Sequence, residues 1–229
     1  MEWVLLQQTD STNRVAKELA RQGAAHGTAV LALAQTAGRG RLERQFYSPE
    51  GGLYLSVILR PKIPPQDRVL VTPMAAVAVC HGVEHLCGIR PDIKWVNDLY
   101  LEGKKLCGIL CEGTGDAVIV GIGLNLRSPE GGFPPQLNAT ALDTEIAPQI
   151  FAETIAEELL MGCETLLDRA FLQEYREKNL VLHREVTVYP INGESFAAKA
   201  VDIDDHCRLV VETAAGRRLL DSGEITIRL

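Results

Sequence analysis

Apolar and polar positions group along the chain into short alternating runs and longer helical stretches. Trp3–Gln7 reads as an apolar strand, and Asp10-Ser11-Thr12 then offers carboxylate and hydroxyl groups to cap a helix through Arg21 that Gly23 ends. On it Val15, Leu19 and Gln22 recur at spacings of four and three, which predicts a narrow stripe facing the core. Thr28–Ala34 and Gly52–Leu59 read as buried strands. Pro64-Pro65 breaks the chain before a helical stretch from Asp67 to Leu86. Ile93–Trp95 and Leu99–Leu101 flank a turn at Asn97-Asp98, and Lys105–Glu112 and Ala117–Leu124 pair as a hairpin around Gly113–Asp116. Ser128–Asn138, with Pro129, two adjacent glycines and Pro134-Pro135, reads as a loop, followed by helices over Pro148–Arg169 and Phe171–Asn179.

After Leu182 the texture changes. Val186–Tyr189, Ser195–Asp202, Leu209–Thr213 and Arg217–Leu220 are short alternating strands separated by turn signals at Asn192-Gly193, Asp204-Asp205 and Ala215-Gly216. That spacing predicts a small β-barrel. The division falls at residue 182, giving a larger α+β part, 1–182, and a small β part, 183–229.

Composition sharpens the picture. The 229 residues, 46% hydrophobic and 23% charged, suffice for a sizeable core. With 23 Lys+Arg against 30 Asp+Glu the formal charge is −7, so no long-range positive field steers in nucleic acid or an anionic membrane. The apolar runs Ala29–Ala34 and Met74–Cys80 are far shorter than the roughly 20 residues that span a bilayer. The N-terminus MEWVLLQQTDSTN has no basic region and no small-residue cleavage site. A cytoplasmic protein with neither nucleic-acid nor membrane partner is expected. Cys80, Cys87, Cys107, Cys111, Cys163 and Cys207 form no C-x-x-C pair, which predicts reduced structural thiols.

Three stretches carry candidate chemistry. Gln35-Thr36-Ala37-Gly38-Arg39-Gly40-Arg41, continuing to Arg44, interleaves glycines with guanidinium forks, a loop suited to binding phosphate or carboxylate. It is not a phosphate-binding P-loop, because no Gly-x-x-x-x-Gly-Lys-Ser/Thr occurs. Lys94-Trp95-Val96-Asn97-Asp98 and Lys104-Lys105-Leu106-Cys107-Gly108 place lysines beside a polar turn, where Asp98 could orient an ammonium or hold Mg²⁺ through water. Gly121-Ile122-Gly123-Leu124-Asn125 puts glycines inside a strand, a mark of close approach by another backbone or a ligand, with an Asn at the exit that could meet a purine edge. Ser11-Thr12-Asn13 either cap a helix or face a polar heterocycle. His81-Gly82-Val83-Glu84-His85 matches the H-x-x-E-H pattern of zinc proteases, but its Ala/Val-rich setting offers no third ligand.

Ser11-Thr12-Asn13, QTAGRGR with Ser48-Pro49, KWVND with KKLCGILCE, and GIGLN occur in that order, and together resemble biotin–protein ligases over essentially the whole chain. The tail, with GESFAAKAVDID, LVVET and Ser222-Gly223-Glu224, is similar to that family's SH3-like C-terminal barrel. The resemblance implies a central mixed β-sheet with helices on one side, of the class II aminoacyl-tRNA synthetase-like ligase type, with 1–182 as the biotin- and ATP-binding catalytic domain. It implies that biotin is joined to Mg²⁺-bound ATP as biotinyl-5′-AMP and passed to a lysine of a biotin carboxyl carrier domain of a carboxylase. Ser11, Thr12, Asn13, Gln35, Gly38, Arg39, Gly40, Arg41, Lys105 and Gly108 would then bind biotin or its adenylate. Arg41, Lys94, Asn97, Asp98 and Asn125 would face the nucleotide. Arg41 and Lys105 would be catalytic, and Asp98 would hold Mg²⁺ through water. The loop from Gly38 to Tyr47 would order over the intermediate and exclude water.

The family usually has Pro where Val96 stands, Gly where Glu43 stands and Trp where Phe46 stands. Glu43 and Val96 keep open a catalytically weak biotin-binding protein. Lipoate or octanoate ligases and transferases share the fold, but would show an arginine pair entering a glycine run and a downstream histidine. A DNA-binding regulator is disfavoured because only ten residues precede Ser11. A homodimer is left open.

Overall fold

A computed structural model describes the chain except residues 42, 43, 191, 192, 222–224 and 229, and for 225–228 it describes the backbone. Glu43, Asn192 and the Ser222-Gly223-Glu224 motif therefore lie outside the described residues. In chain order the elements are β1 (Trp3–Thr9), α1 (Thr12–Arg21), β2 (Ala29–Gln35), β3 (Gly52–Leu59), a 3₁₀ turn (Pro65–Leu70) and α2 (Val71–Cys87). β4 (Asp92–Lys94), β5 (Asp98–Leu101), β6 (Lys104–Thr114), β7 (Ala117–Asn125), α3 (Pro148–Glu164) and α4 (Phe171–Glu177) follow. The chain ends with β8 (Glu185–Pro190), β9 (Phe196–Ile203), β10 (Leu209–Thr213), β11 (Gly216–Leu220) and β12 (Ile225–Arg228).

The first seven strands form one mixed sheet in the order β1-β2-β3-β7-β6-β5-β4, parallel between β1 and β2 and antiparallel elsewhere. Period-two alternation decides what each face carries. Leu53, Leu55, Val57 and Leu59 of β3, with Val118, Val120, Ile122 and Leu124 of β7, face one way and bury against α2 and α3. Ile58 and Ile119 face the other way and meet Ala16 and Ala20 of α1. Helices therefore cover both faces rather than one. α1 lies close because its contact residues are small.

Its buried face is Thr12, Asn13, Ala16 and Ala20, while Val15 and Leu19 are only partly buried at its flank. The expected Val15–Leu19–Gln22 stripe misses because it weighs large apolar side chains, and this helix seats small and polar ones. Ser11 occupies the N-cap position, yet its hydroxyl makes no capping bond. Asp10 takes the Ser11 N–H at 2.7 Å and Gln35 Oε1 takes the Thr12 N–H at 2.8 Å.

The stretch Pro65–Cys87 is long and apolar enough to cross a membrane by composition, but two-thirds buried (67%) inside this fold it is the core helix between sheet and α3. Gly88, at φ 68°, ends it in the left-handed conformation. The small β part is a five-stranded antiparallel sheet ordered β11-β10-β9-β8-β12, one strand more than the alternating pattern predicts. Val186, Val188, Ala198, Ala200, Leu209 and Val211 of this sheet belong to the same apolar cluster as α2 and the large sheet. Trp95 donates its indole N–H to the Cys207 carbonyl at 3.0 Å across that junction.

Candidate active site

α1 covers only part of its face of the large sheet. Beyond its N-terminus, β6 and β7 present Gly108, Leu110, Gly121 and Gly123 to a cavity of about 450 Å³, within the usual size of a small-molecule site. Gly108 pairs directly with Gly123 and Leu110 with Gly121, so at three of these four positions the floor is bare backbone. That bareness is filled deliberately. A Cβ on Gly121 would collide with the Asn13 amide, and one on Gly123 or Gly108 with the Phe46 ring. The space at these glycines is thus filled by two side chains, Asn13 and Phe46, where another backbone or a ligand was expected.

The deep end is neutral and polar. Ser11, Thr12 and Asn13 are buried there, and Gln35 reaches from β2 to Thr12. Gln35 Nε2 donates to Ser48 Oγ at 3.0 Å, and Ser48 donates to the Phe46 carbonyl at 2.9 Å. The mouth is cationic. Arg39, Arg41, Arg44, Lys94 and Lys105 line it, and Asp98 is the single carboxylate among the described lining residues.

The GRGR stretch forms a loop closed by its own backbone bonds: Phe46 N–H to Gly38 O at 2.9 Å, and Gly40 N–H to Arg44 O at 2.7 Å. Gly38 does not line the cavity; a Cβ there would strike the Phe46 carbonyl and Ser48 hydroxyl, so its part is to let the loop fold tightly. Arg41 donates to Asn97 Oδ1 at 3.2 Å, while its other terminal nitrogen, Nη2, is buried without a protein partner. Burial pushes the Arg41 guanidinium down from its usual value, opposed by Asp98. An anionic oxygen in the cavity would satisfy that orphaned donor.

Asn97 is itself fixed, since its Nδ2 donates to the Ile109 carbonyl at 2.7 Å. The turn expected at Asn97-Asp98 lies one step earlier, at Trp95-Val96-Asn97, because Asp98 already pairs in β5; the Trp95–Val96 peptide is cis. Lys105 pairs with Asp98 at 2.8 Å and lies 5.7 Å from the Phe46 ring centre. Lys94 sits 5.3 Å over the Tyr100 ring.

Asn125 is the exception among the expected nucleotide residues. It is buried outside the cavity, and its amide donates to the Thr140 carbonyl at 2.8 Å, tying the strand exit to the returning chain. That bond takes one of its two amide protons.

Several lining residues escaped sequence reasoning. Gln136 arrives because residues 138–140 add to β6, with Lys105 N–H bonding Asn138 O and Thr140 N–H bonding Lys105 O, both at 2.9 Å. Tyr100 and Gln45 also line the wall. Ser56 and Glu112 support the deep end, and a lone serine within the otherwise apolar GLYLSVIL was the available signal for Ser56. The H-x-x-E-H pattern is a clamp between helices, with His81 Nδ1 3.0 Å from Glu158 on α3 and Nε2 2.8 Å from Glu174 on α4.

Comparison with known proteins adds independent findings. Residues 5–126 match the model of the biotin/lipoate A/B protein ligase family, and 181–228 match that of the biotin protein ligase C-terminal domain. The bifunctional ligase/repressor BirA of Bacillus subtilis is 36% identical over 95% of this chain and 71% of its own length. The biotin–[acetyl-CoA-carboxylase] ligase of Paracoccus denitrificans is 32% identical over 96% of this chain and 98% of its own. The Aquifex aeolicus biotin protein ligase in complex with biotin and ATP is similar at TM-score 0.86 and 28% identity, covering 99% of this chain and 98% of that one.

Proposed function

The chain belongs to the biotin/lipoate A/B protein ligase family, and from that premise we propose that it attaches biotin to a protein lysine, using ATP, through biotinyl-5′-AMP. The observation that carries this reading is the division of one cavity into a neutral polar end and a cationic mouth holding, among the described residues, five cations against one carboxylate. The match of 181–228 to the biotin protein ligase C-terminal domain favours biotin over lipoate.

In the first step a biotin carboxylate oxygen bonds to the α-phosphorus of ATP, and pyrophosphate leaves with the electron pair. Both reactants are anions, and the mouth answers their repulsion. Arg41, steadied by Asn97, offers its unpartnered Nη2 to an oxygen of the carboxylate or α-phosphate, and Lys105, steadied by Asp98, adds a second charge. Thr12, Asn13 and Gln35 hold the polar ureido ring, with Ser11 beside them. Phe46 and the 38–47 loop keep water from the mixed anhydride. In the second step a neutral acceptor ε-amine attacks the acyl carbon, AMP departs, and the amine's proton passes to solvent. No enzyme nucleophile is needed.

Mg²⁺ fits as an ion carried largely by the triphosphate. Asp98 supplies one carboxylate, the number this cation commonly takes from a protein when phosphates and water complete its shell. Bound there it would offset phosphate charge. The acceptor we assign is a biotin carboxyl carrier domain of a carboxylase, met in the cytoplasm. We assign residues 1–182 as the catalytic domain and 183–229 as the SH3-like domain.

Pyrophosphate release from ATP tests the reading. Release that requires biotin and is not supported by lipoate is expected. Release driven by lipoate, or none with biotin, would overturn it.

A further inference from the structure

Glu112 stands at the far end of β6, its side chain 18% exposed, behind the neutral end of the cavity. Its Oε1 pairs with Lys17 of α1, its Oε2 lies 2.8 Å from Asn13 Nδ2, and Arg39 comes within 3.9 Å. We infer that Glu112 is a positioning residue, one that fixes which way Asn13 turns its amide and thereby the donor–acceptor sense of the whole hydrogen-bond chain that reads biotin. The inference rests on the biotin reading above.

An ionised carboxylate can only accept. Burial would raise the Glu112 carboxyl, but Lys17, Asn13 and Arg39 outweigh it and hold the group below its ordinary range, so it is charged at neutral pH. Asn13 must therefore turn Nδ2 toward Glu112, where it also donates to the Leu110 carbonyl at 3.2 Å. Oδ1 then faces Ser56 Oγ at 2.7 Å. Ser56, fully buried, spends its one proton on Asn13, and its lone pair faces Thr12 Oγ1 at 2.8 Å. Thr12 has one hydroxyl proton, which goes either to Ser56 or to Gln35 Oε1, 3.1 Å away.

The opposite end agrees in sense. The Thr12 N–H fixes Gln35 Oε1, which turns Gln35 Nε2 toward Ser48, whose proton goes to the Phe46 carbonyl. Thr12 is left presenting a lone pair to the cavity and Gln35 a second N–H. Those are complements to the N–H and C=O of a cyclic urea. A reversed Asn13 amide would set acceptor against acceptor at Glu112 and at the Leu110 carbonyl, and would turn the Ser56 proton from Asn13 to Thr12.

The test is steady-state kinetics of the full chain with Glu112→Gln, whose own amide can present either atom and so leaves the longer bond to the Leu110 carbonyl, 3.2 Å, to hold the sense of Asn13. The expected result is a biotin KM raised about tenfold or more, the effect of one misdirected buried hydrogen bond. The ATP KM, kcat at saturating biotin and Tm stay close to those of the unsubstituted protein. Ser56→Ala, which breaks the next link, raises the biotin KM likewise and carries the same readout should Glu112→Gln fail to fold. Lys17→Met removes the same ion pair but leaves the carboxylate on Asn13, and its biotin KM stays within about twofold. An unchanged biotin KM in Glu112→Gln, an equal rise in Lys17→Met, or a fall in every parameter together with Tm overturns the inference. Absence of biotin-dependent turnover in the unsubstituted protein sinks both this and the functional reading; turnover with an indifferent Glu112→Gln sinks the inference alone.

Discussion

Adding one methyl group to β7, at Gly121 or at Gly123, should have very unequal consequences although the two positions are neighbours on one face. At residue 121 a Cβ would lie 2.7 Å from Asn13 Cγ and 2.8 Å from its Nδ2. Asn13 is pinned by Glu112, Leu110 and Ser56, and β7 is paired on both sides by β3 and β6, so neither partner can retreat. Expelling the amide breaks three hydrogen bonds, at about 1 kcal/mol for each neutral one and about 2 for the one to the carboxylate. Alanine in place of a strand glycine offsets about 1 kcal/mol, leaving a net loss of about 3.

At residue 123 a Cβ would lie 2.8 Å from Phe46 Cζ. That ring belongs to a loop and can swing aside at a cost of about 1 kcal/mol of apolar contact, which the same backbone gain offsets. Urea unfolding should therefore find Gly121→Ala about 3 kcal/mol less stable, or about 6–12 °C lower in Tm, and Gly123→Ala within about 1 kcal/mol of the parent. Equal losses in the two variants would refute the argument that Asn13 is locked and Phe46 is not.

Arg41→Ala should lower kcat/KM about 100-fold by removing a preorganised charge, and shorten the lifetime of trapped biotinyl-adenylate; timed release from the enzyme checks it, and an unchanged lifetime refutes the role. Burial alone would lower the His81 imidazole, but its bonds to Glu174 and Glu158 outweigh that and hold it above its ordinary value. Its stabilisation is thus complete below about pH 6.5 and lost as pH rises through the raised folded value. His81→Gln should cost most at about pH 5.5 and least at about pH 9, and a pH-independent penalty in urea unfolding would contradict this. Burial pushes the Cys80 and Cys207 thiols up to about 12, and the Cys107 thiol up also. Iodoacetamide at about pH 8 should leave all three unlabelled until urea unfolds the chain, and prompt labelling would place them at the surface.

Strands built as continuous apolar runs were plain in the sequence. Gly52–Leu59 forms where expected and the strand expected over Ala117–Leu124 runs one residue further, because both are covered on both faces and are buried at every position. α1 was legible as a helix but not in its orientation, since the groove it fills accepts Ala16 and Ala20 and a polar first turn. The cationic loop was legible from its spacing, whereas its partners were not. Asn97 meets Arg41, and Lys105 meets Asp98, through a turn and a strand bulge that no local pattern encodes. Gln136 reaches the wall only because a distant loop adds to β6. Asn125 stood in a suggestive place, and its tie to the Thr140 carbonyl was not legible, because Thr140 returns from a distant loop.

Behind Arg41 the large sheet, α4 and the small β part meet at one turn. The Trp95–Asn97 turn is tied to the small sheet through the Cys207 carbonyl and to α4 through the Tyr175 hydroxyl, 3.0 Å from the Val96 carbonyl, and the same turn carries Asn97. Chimeras that exchange residues 183–229 between relatives would retune Arg41 from behind without altering a single cavity side chain. Recombination of such enzymes therefore has to transplant Trp95, Tyr175 and the backbone around Cys207 as one inherited unit.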